Sequence, residues 1–147
     1  MSDSFFFDVT EESAPFGSDD GADTYAGFND WRKDHPRDSP VVFLEQQISY
    51  WGYPRFDIEE TSFEKLRSYL KDDEMNIHYM TGIDQAIVAI AFGQLYLEGT
   101  INNDIKALAK KSLERELLPE VLRSWGHYGS TRQANLDKLL TVLNEVK

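Results

Sequence analysis

The chain contains no cysteine. Disulfide frameworks, thiolate zinc sites and cysteine nucleophiles are therefore excluded. Long apolar runs are missing too. The run over residues 87–92 falls far short of the roughly 20 residues a membrane helix needs. Met1-Ser2-Asp3-Ser4 lacks the basic start and apolar stretch of a secretory signal, so a cytoplasmic protein is expected. Positive charge is absent where it would count most. Residues 1–30 hold eight acids (Asp3, Asp8, Glu11, Glu12, Asp19, Asp20, Asp23 and Asp30) and no Lys or Arg. Over residues 81–147 the two signs cancel, so most of the net charge of −11 lies in the first fifth. Such a field repels phosphate backbones, which makes nucleic acid an unexpected partner. A basic protein would instead be attracted, and faster at low salt.

What is present is material for one core. Hydrophobic residues make up 41% of the 147, and nineteen of these are aromatic. A chain of this length buries roughly 68–70% of its unfolded surface and folds without staples, so one domain over 1–147 is expected. Residues 1–22 read as an irregular acidic arm packed on a helical body, because Phe5-Phe6-Phe7 is too apolar for a solvated tail. Residues 13–21 are rich in turn formers and read as a loop.

The remainder is punctuated as helices. Asp23 or Thr24 is placed to cap a helix in which Tyr25, Phe28 and Trp31 recur, ending before Pro36. Ser39-Pro40 opens a second that stops at Trp51-Gly52. Thr61-Ser62-Phe63-Glu64 has capping-box spacing and opens a helix with Phe63, Leu66, Tyr69 and Leu70 inward. Residues 75–80 are a short strand or a linker, and residues 84–98 form a helix apolar almost all round, which belongs at the centre. Three more helices follow, starting near Asn103, Pro119 and Ser130. The expectation is a mainly α fold of six or seven short helices around that central helix, with little or no β structure.

Chemical motifs are scarce. Asp19, Asp20 and Asp23 precede or open a helix, where carboxylates complement the dipole. They do not register with a calcium loop, because Gly21 would put Phe16 at the first ligand position. His35, His78 and His127 are dispersed, and His-Glu-x-x-His is absent. No nucleophile elbow, Walker loop or dinucleotide fingerprint occurs. No catalytic residue, metal ligand or cofactor is therefore assigned. The binding candidates are an acidic surface of Asp19, Asp20, Asp23 and Asp30, and an aromatic anchor of Trp51 and Tyr53. Bulky residues of the second kind more often wedge a helix end against the core.

Several stretches carry a resemblance. Ala14-Pro15-Phe16-Gly17-Ser18-Asp19-Asp20-Gly21 continues to Asp30-Trp31. Trp51-Gly52-Tyr53-Pro54 follows, and then Ala91-Phe92-Gly93-Gln94-Leu95-Tyr96-Leu97-Glu98-Gly99. Together these resemble the YfeS-like family of uncharacterised bacterial proteins. The Phe-x-Ser-Asp-Asp opening is also similar to small domains of unknown function near toxin–immunity loci. The resemblance implies a bacterial cytosolic protein and, by analogy, an immunity-like or regulatory binder. It supplies no catalytic residues.

Two functions are thus expected in competition. The first is a non-enzymatic interaction module for a basic protein partner. The second is a small-ligand receptor or enzyme whose site is built from dispersed residues, with Asp19, Asp20, Asp23, His78 and Trp51 as its walls.

Overall fold

A computed structural model of the chain describes residues 3–146. Met1 and Ser2, the start of the expected arm, and Lys147 lie outside the described residues. Those described form seven α-helices and no strand: α1 (Asp19–Asp34), α2 (Pro40–Trp51), α3 (Phe63–Asp72), α4 (Asn76–Glu98), α5 (Asn103–Glu116), α6 (Pro119–Arg123) and α7 (Gly129–Glu145). The mainly α expectation holds, and α4 is the central element, packing against α1, α2, α3 and α5.

The pattern of small residues explains how α4 is approached. Gly82, Ala86, Ala89 and Gly93 recur at spacings of four, three and four, which places them on one face of a helix. At Gly93 a Cβ would stand 2.9 Å from the Tyr25 ring and 3.6 Å from that of Phe28. At Gly82 it would meet the Asp20 carboxylate at 3.1 Å. All three neighbours belong to α1, which lies close along this seam because side chains are nearly absent from it. The other faces of α4 carry Ile83, Ile87, Ile90 and Phe92, each buried. Burying one such side chain contributes about 1.5–3 kcal/mol. Phe28, Leu44, Ile105, Leu113, Leu136 and Leu143 complete the same cluster.

Helix ends follow local chemistry. Ser39 caps α2 by accepting from Val41 N, Pro40 occupies the first turn, and Gly52 stops the helix at φ 66°. Gly99 ends α4 in the same left-handed conformation.

Five expectations need correction. The cap of the first helix is Ser18 rather than Asp23 or Thr24: its Oγ accepts from Gly21 N, so the helix already starts at Asp19. Residues 75–80, expected as strand or linker, belong largely to α4, so Asp84 sits inside that helix rather than at its start. Ser62, not Thr61, is the cap of α3, and its side chain makes no capping bond. Phe63 was expected inward; it is 47% exposed and lies under the Arg67 guanidinium. Ser4–Phe7 form a 3₁₀ turn in which Phe6 stacks on Phe92 at 6.0 Å, and residues 19–22, expected in the irregular arm, belong to α1.

Candidate acidic cleft

The chain around Glu12 is fixed from both sides. Ser13 Oγ lies 2.7 Å from the Tyr128 hydroxyl and accepts from Asn135 Nδ2 at 2.9 Å. The Tyr128 hydroxyl also donates to Glu11. These bonds tie the arm to α7 and leave Glu12 exposed at the edge of a cleft.

The cleft encloses about 570 Å³ and draws its walls from five segments. Glu12 comes from the arm, Asp20 from the first turn of α1 and Tyr53 from the α2–α3 connection. His78 and Thr81 come from α4, and Trp125 follows α6. Gly82 makes room for the meeting of α1 with that connection. A Cβ there would lie 3.1 Å from Asp20 Oδ2 and 3.7 Å from the Tyr53 hydroxyl. Tyr53 is held by ring contacts to Trp51 at 5.3 Å and Tyr79 at 5.1 Å. Among the described residues no Lys or Arg lines the cleft. Burial raises the pKa of Asp20, and the neighbouring Asp19 and Asp23 charges raise it further. Glu12 is raised chiefly by burial; the Arg132 charge opposes this and the nearby acids add to it. Tyr53 is raised by burial and by the Asp20 charge.

Behind the cleft, across Glu12 and Gln85, lies a chamber of about 20 Å³. Asp84, Glu116 and Arg132 line it, and Arg115 pairs with the first of these. Arg115 Nη2 donates to Asp84 Oδ1 at 2.5 Å, both side chains being fully shielded. Arg132 Nη2 donates to Glu116 Oε1 at 3.3 Å, with side chains 2% and 3% exposed. Thr81 Oγ1 donates to the same Glu116 oxygen at 2.8 Å, linking the cleft wall to the buried acid. Arg132 also lies over the Trp125 ring at 4.2 Å. Glu116 Oε2 and Arg132 Nε and Nη1 have no hydrogen-bond partner among the described residues. Burial and the neighbouring Asp84 charge hold the Glu116 pKa well above the ordinary carboxylate range, against the pull of Arg132 and Thr81.

The acidic surface expected from the sequence divides in two. Asp19, Asp23 and Asp30 are exposed and, spaced four and seven residues apart, share one face of α1 with exposed Asp34. Asp20 is half-buried and turns into the cleft instead. Of the expected aromatic anchor, Tyr53 lines the cleft, whereas Trp51 packs half-buried against the core. His78 lines the cleft as well. His35 stacks on Trp31 at 4.5 Å and bonds its carbonyl through Nδ1 at 2.9 Å, capping α1. Sequence reasoning missed Glu12 as a wall residue and the set Asp84, Arg115, Glu116 and Arg132 altogether. The one available signal was Asp84 itself, a lone acid beside an otherwise apolar segment.

Fold and site together define an all-α protein, built round one buried helix, that carries an acidic cleft next to an acidic helix face. The chain is similar to the uncharacterised protein YfeS of Escherichia coli (strain K12), with 28% identity over 130 residues. That match covers 86% of this chain and 51% of YfeS, so the chain spans about half the length of this relative. The resemblance to YfeS-like proteins read from the sequence is thereby supported. No family model matches the chain. No solved structure matches it.

Proposed function

We propose that this chain is a non-enzymatic interaction module of the bacterial cytosol that binds a basic protein partner through the acidic face of α1. The observation that carries the reading is the row of Asp19, Asp23, Asp30 and Asp34, all exposed on one side of that helix. Among the described residues the one ion pair in this row is local and exposed, between Asp30 and Lys33 at 3.5 Å. Exposed charges on a rigid helix steer an oppositely charged protein and speed its association. An immunity-like or regulatory binder, which covers a basic cleft on its target, is the form this reading takes.

The test is a pull-down from the source cells followed by binding at graded salt. A basic partner should be retained, with affinity falling as salt rises. The variant with Asp19, Asp23, Asp30 and Asp34 all changed to Asn should bind at least about tenfold more weakly. Equal binding by that variant rejects the reading.

A second reading, a small-ligand receptor or enzyme, draws on the cleft, whose volume of about 570 Å³ lies within the range of ligand sites. Of the walls expected for it, Asp20 and His78 are present, but Asp19, Asp23 and Trp51 lie elsewhere. Turnover or saturable binding of a neutral metabolite would favour this second reading.

A further inference from the structure

We infer that the cleft is a socket for one arginine or lysine side chain of the basic partner, with its cation between the Asp20 and Glu12 carboxylates and its stem against the Tyr53 and Trp125 rings. The inference rests on the interaction reading above and makes it specific to one site.

Three features support a cation rather than an anion or a neutral group. Two carboxylates line the cleft, with no Lys or Arg among the described residues of its walls. The Arg132 guanidinium, which lies over the Trp125 ring, bonds Glu116 and does not line the cleft. The aromatic walls suit the same ligand, because electron-rich ring faces attract cations and rings pack well on methylene stems. Trp125 already engages one guanidinium in this way, at 4.2 Å from Arg132. The position of Asp20 is the third feature. It is half-buried against Gly82, so it sits in a less watery setting than its neighbours, where attraction to an incoming charge is stronger. Burial and like-charge crowding lift the pKa of both carboxyls, and an entering cation relieves that crowding.

A partner side chain is favoured over a free metabolite by continuity. Asp20 follows Asp19, the first residue of the exposed acidic row, so a protein docked along α1 passes the mouth of the cleft. The rim adds further hydrogen-bond acceptors for a guanidinium or ammonium, the Thr81 hydroxyl and the Gln85 amide oxygen.

The test is an NMR titration of the labelled chain above neutral pH with N-acetylarginine amide. N-acetylcitrulline amide, which has nearly the same shape without the charge, serves as control. Saturable shifts are expected at the Trp125 indole and at Tyr53, Thr81 and Gln85, with the arginine probe only. Glu12→Gln with Asp20→Asn should weaken that binding at least about tenfold while the melting temperature does not fall. Ser124→Lys, at the exposed rim, should place a cation within reach and compete with the probe. An equal response to citrulline, shifts confined to the exposed α1 row, or unchanged binding by both variants overturns the socket. If the basic partner still binds through that row in any of these cases, the interaction reading stands and the socket alone is lost. If neither probe nor partner binds, both fall.

Discussion

Arg115 and Asp84 form a two-point bond in the interior. Nε and Nη2 of the arginine reach Asp84 Oδ1 at 3.0 and 2.5 Å, with neither side chain exposed to solvent. The same guanidinium donates to the Ile58 and Glu60 carbonyls at 2.8 and 3.1 Å and lies 5.1 Å from the Phe56 ring. One buried side chain thus fastens the irregular α2–α3 connection, which carries Tyr53, onto α4 and α5. Removing it leaves a carboxylate and two carbonyls without partners in a dry site. Arg115→Met should therefore cost about 3–5 kcal/mol in urea unfolding. Pairing it with Asp84→Leu should recover a large part, since no buried charge is then left alone. A single variant losing less than about 1 kcal/mol would show that water reaches the pair.

Glu116 makes a prediction about pH. Its folded pKa is raised by burial and by Asp84, so the native chain holds a proton that the unfolded chain releases at lower pH. Stability from this group is complete at acidic pH and is lost as pH rises from the ordinary carboxylate range through the raised native value. Glu116→Gln keeps the shape and removes the titration. Its urea midpoint should vary less over that window, and it should exceed the parent at the alkaline end. Parallel curves for parent and variant would place the proton on another group.

These two residues also show why the interior charges were hard to see in the sequence. An amphipathic pattern marks positions such as Ile105, Leu108 and Leu113 as inward, and they are buried as expected. The same pattern marks Arg115, Glu116 and Arg132 as surface, because polarity stands in for exposure in any periodicity argument. Their partners are remote in sequence: Asp84 is thirty-one residues from Arg115, and Ile58 fifty-seven. Caps that act within one or two residues, such as Ser39 and Gly52, were legible for the opposite reason. Where two local signals competed the reading failed, as at Ser18, whose capping bond outranked the turn formers around it. The acidic face was visible as composition, but the departure of Asp20 from it needed the packing of α1 on Gly82.

The small-residue seam of α4 gives a contrast within one helix. Glycine to alanine in a helix interior gains up to about 1 kcal/mol from propensity. At Gly82 the new methyl meets the Asp20 carboxylate at 3.1 Å, the movable end of a half-buried side chain. Gly82→Ala should thus be neutral or slightly stabilising. At Gly93 the methyl would stand 2.9 Å from the Tyr25 ring, with fully buried Phe28 also in contact. Overpacking of that kind costs about 1–3 kcal/mol, so Gly93→Ala should lower the melting temperature. Equal effects at the two sites would mean that α1 shifts as a body rather than side chain by side chain.

Asp20 links stability to the proposed socket. The dipole of α1 favours negative charge in the first turn, but burial and the charges of Asp19 and Asp23 oppose it, and the raised pKa shows that opposition prevailing. The native state therefore holds this proton more tightly than the unfolded one, and its contribution is lost as pH rises through the native value. Asp20→Asn escapes that loss. Above neutrality it should melt at a slightly higher temperature than the parent while binding arginine probes less well, the trade-off of a site kept for binding rather than for stability. Calorimetry of the two proteins over a pH series checks the first half and the probe titration the second. Because the gain must vanish at acidic pH, where parent Asp20 is also neutral, a difference that persists there would point to lost packing against Gly82 instead of lost charge.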